Sequence, residues 1–173
     1  LARPCVLDAS ILIALGKAGQ VELLRKVPAF EWRIGPITRG ELVKPETKRP
    51  VEEMILDGVI QVVEQDSDHE RGIELFSQWS DRVDAGEAES IALALSNGWL
   101  VGIEDLAAQR KLDRIVGVGH WMNCATLLIA SVKARTLKLA EADAIFASLD
   151  VFGGYAKRGI TSLSQIEGGL RGP

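Results

Sequence analysis

The chain has 173 residues, 47% hydrophobic and 25% charged, enough for one domain with a sizeable core and unlike a disordered or low-complexity segment. A net charge of −4 and a pI near 5.3 exclude a protein that holds nucleic acid by bulk positive charge, while leaving room for a local basic rim around an acidic pocket. Cys5 and Cys124 form no CxxC pair, and His69 and His120 lack companions at ligand spacing, which argues against a zinc site or a disulfide framework.

Residues 4–7 read as a short apolar strand ending at Asp8, and residues 9–15 as a helix reaching Gly16, with Asp8 as its N-cap. The apolar run from Val6 to Leu15 resembles a signal peptide only superficially. Asp8 interrupts it and no membrane-length stretch follows, so a soluble, cytoplasmic protein without a membrane partner is expected. A helix over 21–27 ends before Pro28, and a strand over 31–34 is closed by Gly35-Pro36. Thr38-x-x-Glu41 has the form of a capping box, opening a helix that Pro45 terminates. Pro50 is placed to start a helix over 51–56, Asp57-Gly58 is a turn, and 59–63 is a strand. Over 67–83, Ile73, Phe76, Trp79 and Val83 recur at helical spacing.

The stretch 84–105, DAGEAESIALALSNGWLVGIED, concentrates carboxylates in one helix, strand and turn. Ala88, Ile91, Ala92 and Leu95 give an amphipathic helix that Asn97-Gly98 stops, and WLVGI reads as a buried strand. Glu87 lies at the border of the apolar stripe, whereas Glu89 projects about 120° from its centre. Asp84-x-x-Glu87 is also a capping box, which explains Glu87 without any function. Glu104 and Asp105 follow the strand directly. Beyond them come a helix over 106–112, a strand over 115–118, a helix over 121–134, and another over 141–149 that Gly153-Gly154 breaks; 160–166 is assigned to neither class.

The alternation of strands and helices argues for an α/β fold around a parallel sheet. No repeat or Pro/Ser-rich linker divides the chain, so a single domain over 1–173 is expected, with a core at about 4–135 and a C-terminal helical extension at 136–173. Asp8, Glu41 and Asp105 each follow an expected strand and Glu87 opens a helix before another, so all four can reach one sheet edge. Capping explains each singly. Clustered carboxylates, however, repel one another unless a cation neutralises them, and Mg²⁺ or Mn²⁺ are the natural partners of carboxylate and water oxygens.

VLDASILIAL, the Thr38/Glu41 segment, GEAESIALALSNG and the strand ending Glu104-Asp105 resemble, in order, the acidic motifs of PIN-domain proteins, over about 6–135. The resemblance implies a three-layer α/β sandwich with a central parallel sheet and a Mg²⁺- or Mn²⁺-dependent ribonuclease, VapC-like in its GEAE branch. It matches Asp8 to the acid after the first strand, Glu41 to the second acid, Glu87 to the helix acid and Asp105 to the acid after the fourth strand. In the implied mechanism a metal-activated water attacks phosphorus. Asp8, Glu87 and Asp105 are the direct metal ligands, Glu104 is an accessory candidate, and Glu41 is a ligand or water-positioning base. RNA is the implied substrate, and an antitoxin protein and a second copy of the chain are the candidate protein partners.

Two departures stand out, since Ile103 replaces a Thr or Ser that many relatives carry, and Glu104 replaces the first of two Asp residues. They keep alive a rival reading, a PIN-like scaffold with weak or lost catalysis that binds RNA or a protein. A phosphatase of the haloacid dehalogenase type is set aside, because its DxD motif needs an acid where Ser10 stands. Arg39, Lys44, Lys48, Arg49, Arg110, Lys111 and Arg114 are the candidate basic rim, and Trp99 and Trp121 are candidate base-stacking residues more readily explained as core.

Overall fold

In the first strand, β1 (Arg3–Leu7), Cys5 and Leu7 face one apolar cluster and Val6 the other, and this alternation sets the layers of the fold. The structure, a computed structural model, describes residues 2–64, 70–149 and 152–170, with backbone alone for 152, 153 and 167–170. β1 pairs in parallel with β2 (Phe30–Ile34) on one side and β4 (Leu100–Gly102) on the other. β3 (Ile60–Val62) and β5 (Trp121–Met122) complete a parallel sheet in the order β3-β2-β1-β4-β5.

On one face, Leu7 and Ile34 pack with Leu12 and Leu15 of α1 (Ala9–Lys17), Met54 of α3 (Pro45–Leu56), Leu127 and Leu128 of α7 (Cys124–Lys133) and Phe146 of α8 (Leu139–Ser148). On the other, Val6, Val101 and Ile103 meet Trp79 of α4 (Glu70–Ser80), Ile91 and Leu95 of α5 (Ala85–Asn97), and Leu112 of α6 (Leu106–Val116). This is the expected three-layer α/β sandwich. Its sheet is covered on both faces, as an all-parallel sheet requires. No helix among the described residues is long and apolar enough to cross a membrane.

Several local expectations are corrected. α2 (Pro36–Glu41) has Gly35 as its N-cap, so Thr38 lies inside the helix and Glu41 ends it. Pro45 opens α3 rather than closing α2, at a first position where a missing amide costs nothing. Pro50 falls inside α3 and deprives the Glu46 carbonyl of its usual donor. Residues 21–26 form a 3-10 helix, Val21–Lys26, instead of an α-helix.

The strand expected at 115–118 does not form. Ile115 and Val116 finish α6, because Leu112 and Val116, four residues apart, pack on the same cluster, and Gly117 at φ 87° ends the helix. The edge strand is the two-residue β5, whose Trp121 was expected to open a helix. Ser67, Asp68 and His69, expected in α4, lie outside the described residues. Gly153-Gly154 sits within a short helix, α9 (Phe152–Ala156), and α10 (Leu163–Leu170) follows where no helix was assigned. Ala142, Phe146 and Leu163 bury their side chains in the same cluster as α7, joining these later helices to the sheet's first face.

Candidate carboxylate site

From β1 the chain moves outward to β2 and β3 and then returns to β4 on the other side of β1, so strand order reverses between β1 and β4. Loops leaving the carboxyl ends of two such strands diverge and open a crevice. Asp8 leaves β1 there, and Glu104 and Asp105 leave β4. The Asp8 amide donates to the Gly102 carbonyl at 2.8 Å, which holds the two strand ends together.

Asp8 is the N-cap of α1 and is 2% exposed. Its Oδ2 accepts from the Ser10 amide at 2.9 Å and the Ser10 hydroxyl at 2.5 Å. Its Oδ1 is buried without a partner, the one carboxylate oxygen in that condition among the described residues. Burial pushes the carboxyl above the usual range, against the bonds from Ser10. Asp105 caps α6 in the same way, Oδ1 accepting from the Ala108 amide at 2.7 Å. An N-cap engages one carboxylate oxygen, so capping and metal binding are not alternatives at these positions.

Asp84 caps α5 by accepting from the Glu87 amide at 2.9 Å. The return bond from Glu87 to the Asp84 amide is absent, so the expected capping box is only half present, whereas Asn123 and Thr126 complete both halves in α7. Glu87 is thus half-buried and free to face the crevice. Burial first, then the charges of Asp8, Asp84 and Asp105, push its carboxyl up to about 7, with Lys111 opposing. Glu41 reaches the same place from the end of α2, where Oε1 accepts from the Gly86 amide at 3.2 Å. Burial, followed by Asp84 and Asp8, raises it too. Gly86 makes this approach available, because a Cβ there would come within 2.3 Å of Glu41 Oε2.

Glu104 behaves differently. Its Oε1 accepts from the Cys124 amide at the start of α7, its carboxyl is raised by burial against that bond, and its own amide donates to Ser10 Oγ at 3.0 Å. One oxygen is therefore turned away from the other acids, although Glu104 still borders, with Glu87 and Asp105, a hollow of about 370 Å³. With the side chains as they stand, no three acids, histidines or cysteines among the described residues are drawn together closely enough to hold one ion.

Two residues carry more than the sequence suggested. Ser10 bridges Asp8 and the Glu104 amide, where the sequence allowed a bond to an acid but favoured a helix-start role. Asp84, read only as a cap, adds its charge to those of Asp8, Glu41 and Glu87. Glu89 is corrected outright, being buried rather than directed outward. It accepts from the Ile37 and Thr38 amides at 3.0 and 2.9 Å, closing the start of α2, and fills the space where Gly35 has no side chain. The Thr38 hydroxyl bonds the Gly86 carbonyl and Ser90, so α2 is fastened to α5 at both the Glu89 and Gly86 levels.

The expected rim is partly engaged elsewhere. Arg39 forms a paired contact with Glu52 at 2.8 and 2.5 Å, and Arg49 bonds Glu53 at 3.0 Å. Lys111 remains as the cation felt by Glu87, its Nζ donating to the Arg82 carbonyl. Trp99 precedes β4, on the edge away from the acids, under the Arg33 guanidinium. Cys5 and Cys124 are free, buried thiols raised by burial, which removes both as nucleophiles.

A family model described as a PIN domain matches residues 4–158. No curated protein matches the chain.

Proposed function

The chain belongs to the PIN-domain family, a nuclease fold, and on that premise we propose that it is a Mg²⁺- or Mn²⁺-dependent endoribonuclease hydrolysing RNA phosphodiester bonds at the carboxylate site. The observation that carries this reading is Asp8 Oδ1, a buried acceptor without a donor in the midst of carboxyls raised by burial and by one another. Such a donor set fits a hard divalent cation better than it fits a helix cap. Asp8, Glu87 and Asp105 would hold the ion, Glu104 would assist through the oxygen that Cys124 leaves, and Glu41 would serve as a ligand or as the base that positions water. Bound there, the ion supplies an activated water and offsets the charge that grows on the phosphate oxygens.

The chain's own residues supply the rest. Ser10 fixes the Asp8 carboxylate through Oδ2 and leaves Oδ1 without a hydrogen bond. Glu87, whose carboxyl is pushed up to about 7 without metal, would give up its proton on taking the ion, so binding is favoured as pH rises. Glu41 is held beside Asp8 by the Gly86 amide, and Lys111 brings positive charge to the rim.

The inactive-scaffold reading drew on Ile103 and Glu104. Ile103 is fully buried in the cluster facing α5, and the hydroxyl beside the acids comes from Ser10 instead, which favours the active reading. The finer setting, a VapC-like toxin acting in the cytoplasm beside an antitoxin or as a homodimer, rests on the motif resemblance alone. The test is cleavage of single-stranded RNA with Mg²⁺ or Mn²⁺, expected to vanish in Asp8→Asn while the fold survives. Cleavage that persists in excess chelator counts against the mechanism, and equal activity of wild type and Asp8→Asn exposes a contaminating nuclease.

A further inference from the structure

The crevice continues past Asp105. Glu104 also borders a second hollow of about 210 Å³, whose walls include Leu106, Tyr155 and Arg158. Those three residues pass into a third, of about 280 Å³, which Trp121 and Ile166 help to close. A track therefore runs from the acids, across the first residue of α6, to a slot walled by the C-terminal segment.

We propose that this slot receives an unpaired nucleobase of the strand bound at the carboxylates, making Tyr155, Arg158 and Gln165 determinants of sequence preference. The inference rests on the reading of the site as an RNA-binding one. The slot's rings are fixed in place. The Tyr155 hydroxyl accepts from Asn123 Nδ2 at 2.9 Å, Phe146 meets the Tyr155 ring edge-on at 5.1 Å, and the Trp121 indole N–H donates to Asp113 at 2.8 Å. The Arg158 guanidinium lies 4.8 Å from the Tyr155 ring centre, a layered surface of the kind on which bases stack.

The polar groups deep in the slot are engaged by the protein. Asn123 Oδ1 accepts from the Thr126 amide, and Gln109 Nε2 donates to the Ile103 carbonyl. Gln109 Oε1 aside, what remains on these side chains are donors. Among the described residues, Arg158 uses only Nε, on the Gly154 carbonyl, and Gln165 uses only Oε1, on the Thr161 and Ser162 amides and the Thr161 hydroxyl. Flat walls with free donors and one cation complement a flat ring bearing acceptors, joined to an anion. A nucleotide has that chemistry. A peptide segment would bring its own backbone donors, which the slot has few acceptors to meet.

The test follows the Trp121 indole N–H resonance during titration with nucleoside 5′-monophosphates of differing base, with Mg²⁺ present to neutralise the acids and no phosphodiester bond available for cleavage. At least one base should shift that resonance saturably. Arg158→Ala, at an exposed position, should weaken this binding about tenfold, equivalent to about 1.4 kcal/mol, and Arg158→Lys should not restore it, since Lys keeps the charge but lacks the plane. No shift with any base, unchanged binding in Arg158→Ala, or full rescue by Lys would each overturn the proposal; the first would leave the slot to a protein partner, the last to plain phosphate attraction. RNA cleavage without a Trp121 response sinks this inference alone, and a Trp121 response without cleavage under Mn²⁺ sinks the hydrolytic reading alone.

Discussion

Ser10 holds Asp8 through two atoms: its amide and its hydroxyl both donate to Oδ2, at 2.9 and 2.5 Å, while the same hydroxyl accepts from the Glu104 amide at 3.0 Å. A hydrogen bond to a charged carboxylate contributes about 1.5–3 kcal/mol, and its loss leaves Asp8 held by the Ser10 amide alone. Ser10→Ala is therefore expected to lower RNA cleavage by about a hundredfold, the scale on which small misplacements of reacting groups act. Ser10→Thr should recover most of it. Cleavage rates of the three proteins at saturating Mn²⁺ decide, and a fully active Ser10→Ala would reduce Ser10 to a helix-start residue.

Gly86→Ala tests the seat of Glu41. The new Cβ would lie 2.3 Å from Glu41 Oε2, but the atom it meets ends a flexible side chain, so the fold should lose no more than about 1 kcal/mol. Cleavage should fall far more than stability, because Glu41 is pushed off the Gly86 amide. Melting curves beside cleavage rates check this. A variant with normal turnover would remove Glu41 from the site.

Glu89 is the structural control. Glu89→Ala leaves the buried Thr38 amide, and with it the start of α2, without an acceptor, and should cost about 2 kcal/mol in urea denaturation. The rise in melting temperature on adding Mn²⁺ should persist, since Glu89 bonds α2 rather than facing the crevice.

The pH dependence has a definite sign. Glu87 is raised to about 7 from 4.5, so between those values the native state holds a proton that the unfolded chain has released. Stability without metal should fall as pH rises through that window, and Asp8, Glu41 and Glu104, also raised, act in the same direction. Because Glu87 is half-exposed, solvent screening reduces its share to about 1–2 kcal/mol. Glu87→Gln should flatten the slope and leave apo stability level or higher. A Glu87→Gln protein that is less stable without metal yet keeps the whole Mn²⁺ response would mark Glu87 as a cap.

The sheet and the positions of Asp8 and Asp105 were legible because Asp8 directly follows an apolar run of strand length and Asp105 stands one residue past another, a purely local signal. Glu89 was not. The helical wheel assumed that α5 has one buried face, whereas residues 88–95 are all buried, because α2 and α4 cover the flanks that the sheet leaves. Thr38-x-x-Glu41 satisfied the capping pattern, yet Gly35-Pro36 started the helix earlier, and a tertiary carboxylate took over the capping. β5 escaped notice since two residues carry no periodicity, while the apolar 115–118 run borrowed its hydrophobicity from the end of α6. Tyr155 and Arg158 acquire their place only through the packing of the C-terminal helices on α7, which no pattern in the sequence announces.

The most direct measurement is an anomalous difference map from crystals grown with Mn²⁺. A peak is expected at the carboxyl ends of β1 and β4, within coordination reach of Asp8 Oδ1 and of the Glu87 and Asp105 carboxylates, and absent from Asp8→Asn crystals. A map with no peak there at saturating Mn²⁺, or with the metal held by other residues while RNA is still cleaved, would contradict the assignment of this carboxylate site as the catalytic centre.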